Sequence, residues 1–170
     1  MCAINGTTGK DEQLVTRMNA VTAHRGPDAT RVWAHEQVTL GFNRLAIIDV
    51  SERGMQPMTS HDGRYTIVFN GEIYNYKTLK AELKGYPFVS ESDTEVILAG
   101  LSKWGDRMLA RLNGMFALAV WDNVEGRLLL ARDPAGIKPL FYHYDGSRII
   151  FSSELRGVLE SGIPRKLNRT

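Results

Sequence analysis

The sequence predicts an α+β fold: antiparallel strands forming two sheets, with helices packed outside them. Two observations carry this. Segments of helical periodicity cluster in pairs, at 11–23 and again at 76–84 and 92–104. Beside them stand runs of consecutive strands joined by short turns, most clearly in the second half of the chain. A length of 170 residues is that of one ordinary domain with a substantial core.

Taken in order, residues 2–7 read as a short strand punctuated by Gly6 and Gly9. Leu14, Val15, Met18 and Val21 then fall at helical spacing, and the turn signal Gly26-Pro27 breaks that helix. Strands are expected at 30–35 and 37–49, and a polar loop at 51–63. Arg64 to Phe69 alternates like a strand and runs directly into Asn70-Gly71-Glu72. Leu79 and Leu83 lie one turn apart on a helix at 76–84. The helix at 92–104 has Ser92 or Asp93 as its cap, with Glu95 at capping-box spacing from Ser92, and a shorter helix is expected at 106–112. Strands at 114–122 and 126–133 flank an Asn/Gly-containing turn, and Asp145-Gly146 reads as a two-residue hairpin turn between the last two strands. A final helix covers 153–161, so the domain is expected to span 1–163, with 164–170 as the start of a linker.

Composition excludes several classes. The 43% hydrophobic and 24% charged residues are those of a globular protein, and no apolar run reaches the ~20 residues of a membrane span. The N-terminus lacks a signal peptide's basic and apolar regions, and a single cysteine rules out internal disulfides, so the expected location is cytoplasmic. The 21 basic and 19 acidic residues are scattered, which disfavours nucleic acid. His24, His35, His61 and His143 have no HExxH or CxxC partners, so no metal is expected. Nor is there a nucleotide-binding loop, so no cofactor is expected in this domain.

The residues that could do chemistry start at Cys2. A small second residue lets methionine aminopeptidase remove Met1, leaving a thiol and an α-amine on one residue. An α-amino group titrates near 7.7–8.0 and can serve as a general base. Position alone favours the plainer reading of Cys2 as a small buried hydrophobe near a chain end. Asn70 with the Gly71 N–H could form an oxyanion hole or simply a turn. Arg44, inside an apolar run, needs a partner such as a carboxylate unless it faces outward. Asp93 could merely cap its helix, and Arg132-Asp133 reads as a structural ion pair.

Seven segments change the weight of these readings: MCAI at 1–4, HRGPD at 24–28, NRLAIID at 43–49, FNGEIYNY at 69–76, SDTEVIL at 92–98, LNGMFALAVWD at 112–122 and ARDPAGIKPLFY at 131–142. In this order, over nearly the whole chain, they resemble the class II glutamine amidotransferases. These are N-terminal-nucleophile (Ntn) glutaminases, and the similarity is greatest to the glutaminase domain of asparagine synthetase B-type enzymes. The resemblance implies a four-layer αββα sandwich and hydrolysis of glutamine to glutamate and ammonia. It assigns Cys2 as nucleophile, Asn70 and Gly71 as the oxyanion hole, and Arg44 as the grip on the substrate α-carboxylate. Glu72 and Asp93 would hold the α-ammonium group, and His24, Arg25 and Gly26 would belong to a loop near the nucleophile. It further implies a synthetase domain or subunit that accepts ammonia, with ATP and magnesium used only there. A homodimer is left open. The family commonly has glycine after the cysteine, where this chain has Ala3. Two rivals stand beside this reading: a catalytically silent structural or regulatory module, and a glutaminase serving another acceptor.

Overall fold

Alternation along the strands sorts side chains onto two faces, and the fold follows from what each face buries. The computed structural model describes residues 1–47 and 49–165. Strands β1 (Ala3–Thr8), β2 (Ala29–His35), β3 (Val38–Arg44), β8 (Phe141–Tyr144) and β9 (Ile149–Ser152) form one sheet in the order β2-β3-β1-β9-β8. The second sheet is β4-β5-β6-β7, built from β4 (Met58–Thr59), β5 (Tyr65–Ile73), β6 (Gly114–Asp122) and β7 (Arg127–Arg132). All pairings are antiparallel.

The sheets face each other across one apolar layer. Ile4, Val38, Leu40, Phe42 and Phe151 of the first sheet meet Val68, Ala117, Ala119 and Trp121 of the second. On the outer face of the first sheet lies helix α1 (Glu12–Thr22), whose Leu14, Val15 and Met18 pack with Ile150 and with Val158 of α4 (Leu155–Leu159). The contact is close because β3 carries Gly41: a Cβ there would sit 2.5 Å from Asn19 Oδ1 of α1. On the outer face of the second sheet, Ile67, Phe69 and Ile73 pack against Leu79 of α2 (Tyr76–Glu82) and Val96, Ile97 and Leu101 of α3 (Asp93–Trp104). The order of layers is helix, sheet, sheet, helix. No described helix is long and apolar enough to cross a membrane.

Several expectations need correction. The strand expected at 37–49 ends at Arg44, because side chains take over the backbone groups that a ladder would use. Asp28 Oδ2 accepts from the Ala46 N–H at 2.8 Å, and the Arg44 guanidinium donates to the carbonyls of Asp49 and Ser51. The loop expected at 51–63 contains a 3-10 turn, Glu52–Gly54, and the two-residue β4. The helix at 106–112 is a 3-10 helix, Gly105–Arg111. The two-residue hairpin at Asp145-Gly146 is a four-residue connection between Tyr144 and Ile149, organised by the Asp145 carboxylate accepting from the Ser147 and Arg148 N–H groups. The expected capping box is half formed: Ser92 accepts from the Glu95 N–H, but Glu95 turns to the amides of Val89 and Ser90. Ile48 and 166–170, the greater part of the expected linker, lie outside the described residues.

Candidate active site

Strand β1 starts one residue after Cys2, and its pairing with β3 sets where the thiol sits. Ala3 lies opposite Asn43, so Cys2 emerges at the end of β3, where Arg44 and Leu45 leave the sheet. Its Sγ accepts from the Leu45 N–H at 3.4 Å and lies 3.6 Å from the Leu45 carbonyl. The thiol is half-buried, and burial pushes its pKa up. The Leu45 N–H, the terminal amine and the charges of Arg44 and Arg25 work in the opposite direction.

The sulfur opens onto a cavity of about 80 Å³ walled by both sheets, the 45–56 loop and the start of α3. Arg44, Asp49, Gln56, Gly71, Asp93 and Thr94 line it together with Cys2. Arg44 is buried, and among the described residues no carboxylate pairs with it; its Nη2 is held by the carbonyls of Asp49 and Ser51. Thus the carboxylate partner that its place in an apolar run suggested is not supplied by the described chain.

Strand β5 runs unbroken through Asn70, Gly71 and Glu72, each paired with β6, which removes the turn reading of Asn-Gly. Asn70 lies opposite Ala117 and shares the alternation of Val68, which puts its side chain on the inter-sheet face. Its Nδ2 is buried and has no hydrogen-bond partner among the described residues. An unpaired buried amide donor costs roughly 1–3 kcal/mol, and such groups mark places where a ligand acceptor is expected. Gly71 exposes backbone to the cavity, and its strand neighbours Met115 and Phe116 leave no room for a side chain.

Asp93 is the first residue of α3, and Ser92 caps that helix, so the capping role does not fall to Asp93. Its Oδ2 accepts from the Ile73 N–H at 3.0 Å, which ties α3 to the end of β5. Burial, helped by the Glu72 charge, pushes its carboxyl up to about 6, against the pull of backbone N–H groups. Glu72 itself is exposed and does not line the cavity; it acts on the site through that charge.

The 24–26 segment adjoins the nucleophile through one residue. Arg25 Nε donates to the Cys2 carbonyl at 3.1 Å, and its Nη1 lies 3.4 Å from Glu154. His24 is exposed, with Nε2 at 2.9 Å from the same carboxylate, and Gly26 packs on the β3 backbone at Asn43. Sequence reasoning missed Glu154, Gln56 and Lys138. Gln56 receives the Phe69 N–H at 2.6 Å and donates to Thr94, bracing the cavity wall. Each meets the site across a long stretch of chain, so local pattern carried no signal for it. The pair Arg132-Asp133 also differs from expectation. Asp133 accepts from the N–H groups of Phe116, Ile137 and Lys138, and Arg132 donates to the carbonyls of Gly136 and Lys138.

Comparison with known proteins follows this geometry. The family model described as "Glutamine amidotransferase domain" matches residues 1–170. Asparagine synthetase [glutamine-hydrolyzing] 1 of Bacillus subtilis is 45% identical over 89% of this chain and 24% of its own length. Asparagine synthetase [glutamine-hydrolyzing] 3 of the same organism is 41% identical over 100% of this chain and 29% of its own length. The chain therefore spans about a quarter of the length of these relatives. Among solved structures, the B. subtilis glutamine phosphoribosylpyrophosphate amidotransferase, complexed with ADP and GMP, superposes with a TM-score of 0.79 at 21% identity, covering 95% of this chain and 44% of that one. That similarity is one of fold: two antiparallel sheets between helical layers. A family match over the entire chain, joined to this architecture, places it in the glutamine amidotransferase domain family.

Proposed function

We propose that this chain hydrolyses glutamine to glutamate and ammonia with Cys2 as the nucleophile, and that the ammonia feeds an ATP-dependent synthetase unit making asparagine. The observation that carries it is the content of one cavity: a thiol, a guanidinium and a carboxylate that have no ionic partner among the described residues, and an orphaned amide donor beside them. Glutamine complements all four. Its α-carboxylate fits Arg44, its α-ammonium fits Asp93 with Glu72 nearby, and its side-chain carbonyl fits Asn70 Nδ2 and the Gly71 N–H.

Chemistry begins once Met1 is removed, because its peptide bond ties up the Cys2 nitrogen. The freed amine, through a water, takes the thiol proton as sulfur attacks the amide carbon. The tetrahedral oxyanion is held by Asn70 and Gly71, each donor contributing roughly 2.7–4 kcal/mol. Collapse returns the proton to the nitrogen and expels ammonia, leaving a γ-glutamyl thioester that water hydrolyses to glutamate. Arg25 steadies the Cys2 carbonyl during these steps. The relatives' names, and the fraction of their length that this chain spans, support a synthetase unit as the ammonia acceptor. ATP and magnesium would act only there.

The test uses chain whose loss of Met1 is verified by mass spectrometry. Incubation with 6-diazo-5-oxo-norleucine is expected to give one adduct, on Cys2, and Cys2→Ala is expected to abolish glutamine hydrolysis. Full glutaminase activity in Cys2→Ala would sink the mechanism, and absence of any adduct would favour a silent module.

A further inference from the structure

A second cation stands at the N-terminus with no visible employment. Lys138 is buried, and among the described residues no carboxylate lies within salt-bridge distance of it. Buried lysines are ordinarily paired. Its Nζ instead lies 3.3 Å from the sulfur of Met1, a weak acceptor. The backbone around it is fixed: the Lys138 N–H donates to Asp133 Oδ2 at 3.1 Å, and the Lys138 carbonyl accepts from Arg132 Nε at 2.6 Å. A rigid loop thus holds a lysine against the one residue whose removal the glutaminase reading requires. Excision of Met1 takes away the partner of Nζ and, within a methionine side chain's reach, creates the α-amine of Cys2.

We propose that Lys138 is a positioning residue for glutamine hydrolysis: its ammonium faces the place Met1 leaves and keeps the new α-amine unprotonated, ready to take the thiol proton. This rests on the glutaminase reading above. Two neighbouring cations cannot both stay charged cheaply, and the one with the lower ordinary pKa yields. That is the α-amine, near 7.7–8.0, against about 10.4 for lysine. Arg25 and Arg44 add positive charge near the terminus and stay in place in every Lys138 variant, so the variants isolate the share that belongs to Lys138. Arg25 is committed to the Cys2 carbonyl and Glu154, and Arg44 to the carbonyls of the 45–56 loop. Glu154 is occupied by His24, Arg25 and Arg156, and the Asp133 carboxylate by three backbone N–H groups. The Cys2 thiol is the proton donor itself.

The experiment is the pH profile of kcat/KM for glutamine in wild type, Lys138→Met and Lys138→Arg, with Lys138→Gln as a second uncharged variant. All are prepared by cleaving a fusion so that Cys2 is the first residue, verified by mass. The acid limb reports the base in the free enzyme. It is expected to lie below the ordinary amine range in wild type and Lys138→Arg. In Lys138→Met and Lys138→Gln it should move up by about one pH unit, costing roughly tenfold near pH 6.5 while the alkaline plateau is retained. An active wild type with an unmoved limb in the uncharged variants, or with activity lost equally at every pH, overturns this inference alone. A wild type that does not hydrolyse glutamine overturns the glutaminase reading and this inference together.

Discussion

Asp93 shows how the cavity trades stability for readiness to bind. Its carboxyl is pushed up to about 6 in the folded chain, above its unfolded value of about 3.9. For an acid shifted in this direction the folded state binds the extra proton. Its contribution to stability is present below the unfolded pKa and is lost as pH rises from about 4 through about 6. At neutral pH the cost is on the order of 2–3 kcal/mol, which a bound ammonium group offsets. Asp93→Asn removes the charge while keeping the shape. It is expected to raise the midpoint of urea unfolding at pH 7.5, to leave it little changed at pH 4, and to raise KM for glutamine at least tenfold. A variant destabilised at pH 7.5 with unchanged KM would remove Asp93 from the substrate clamp. In wild type, the same titration predicts that KM rises as pH falls below about 6, measurable as glutamine protection against thiol alkylation.

Among the elements, α1 is joined to its sheet by buried amides as much as by apolar packing. Asn5 of β1 donates to Asn19 Oδ1 at 2.8 Å and to Thr22 Oγ1 at 2.9 Å, and it accepts from Ser152 of β9 at 2.6 Å. Asn43 of β3 donates to the Asn19 carbonyl and to Thr22. Asn5→Ala strands several of these partners at once, and a cost of about 2–4 kcal/mol is expected in chemical denaturation. Asn5→Asp should cost at least as much, because a carboxylate cannot donate to Asn19 and Thr22. A loss below about 1 kcal/mol for Asn5→Ala would show that the network is replaceable. None of this was legible in the sequence, where Asn5 lay within an expected strand and Asn19 within an expected helix. What the sequence did carry was the existence of the main elements: α1, whose helical spacing matches its buried stripe, and α3, β5 and β6, which stand where expected and are buried nearly throughout. It carried the site as far as residue types go, since Cys2, Arg44, Gly71 and Asp93 do meet around one cavity. It failed where tertiary hydrogen bonds override local pattern. β3 stops at Arg44 because Asp28, Arg44 and Cys2 engage the backbone beyond it, and nothing in the run LAIID foretells that. Glu72, which the resemblance assigned to the substrate α-ammonium, shares the alternation of Val68 and Asn70 but stands near the end of β5, where it is exposed and reaches Asp93 through its charge.

At the scale of the whole molecule, the site is divided between the two sheets. Cys2 precedes β1 in one sheet, and Asn70 and Gly71 belong to β5 in the other, so the spacing of the inter-sheet layer sets the distance between nucleophile and oxyanion donors. That layer is asymmetric: Phe42 and Phe151 on one side face a second sheet contributing Ala117 and Ala119. Ala117 lies directly opposite Asn70 in the β5–β6 register. The helical layers, by contrast, bury Ile67 on the other side of the same strand. Two substitutions of similar size should therefore separate stability from catalysis. Ile67→Val, on the outer face, is expected to cost about 0.5–1.5 kcal/mol with kcat unchanged. Ala117→Val, in the seam, adds two methyl groups at a fully buried position and is expected to cost about 1–3 kcal/mol. It should also lower kcat by on the order of 10- to 100-fold, because a displacement near 1 Å suffices to misplace reacting groups. Measuring unfolding free energy and glutaminase kcat for both variants decides the matter. If kcat follows stability equally in the two, the seam has no special part in aligning the site; a loss of kcat confined to Ala117→Val assigns the alignment to inter-sheet packing.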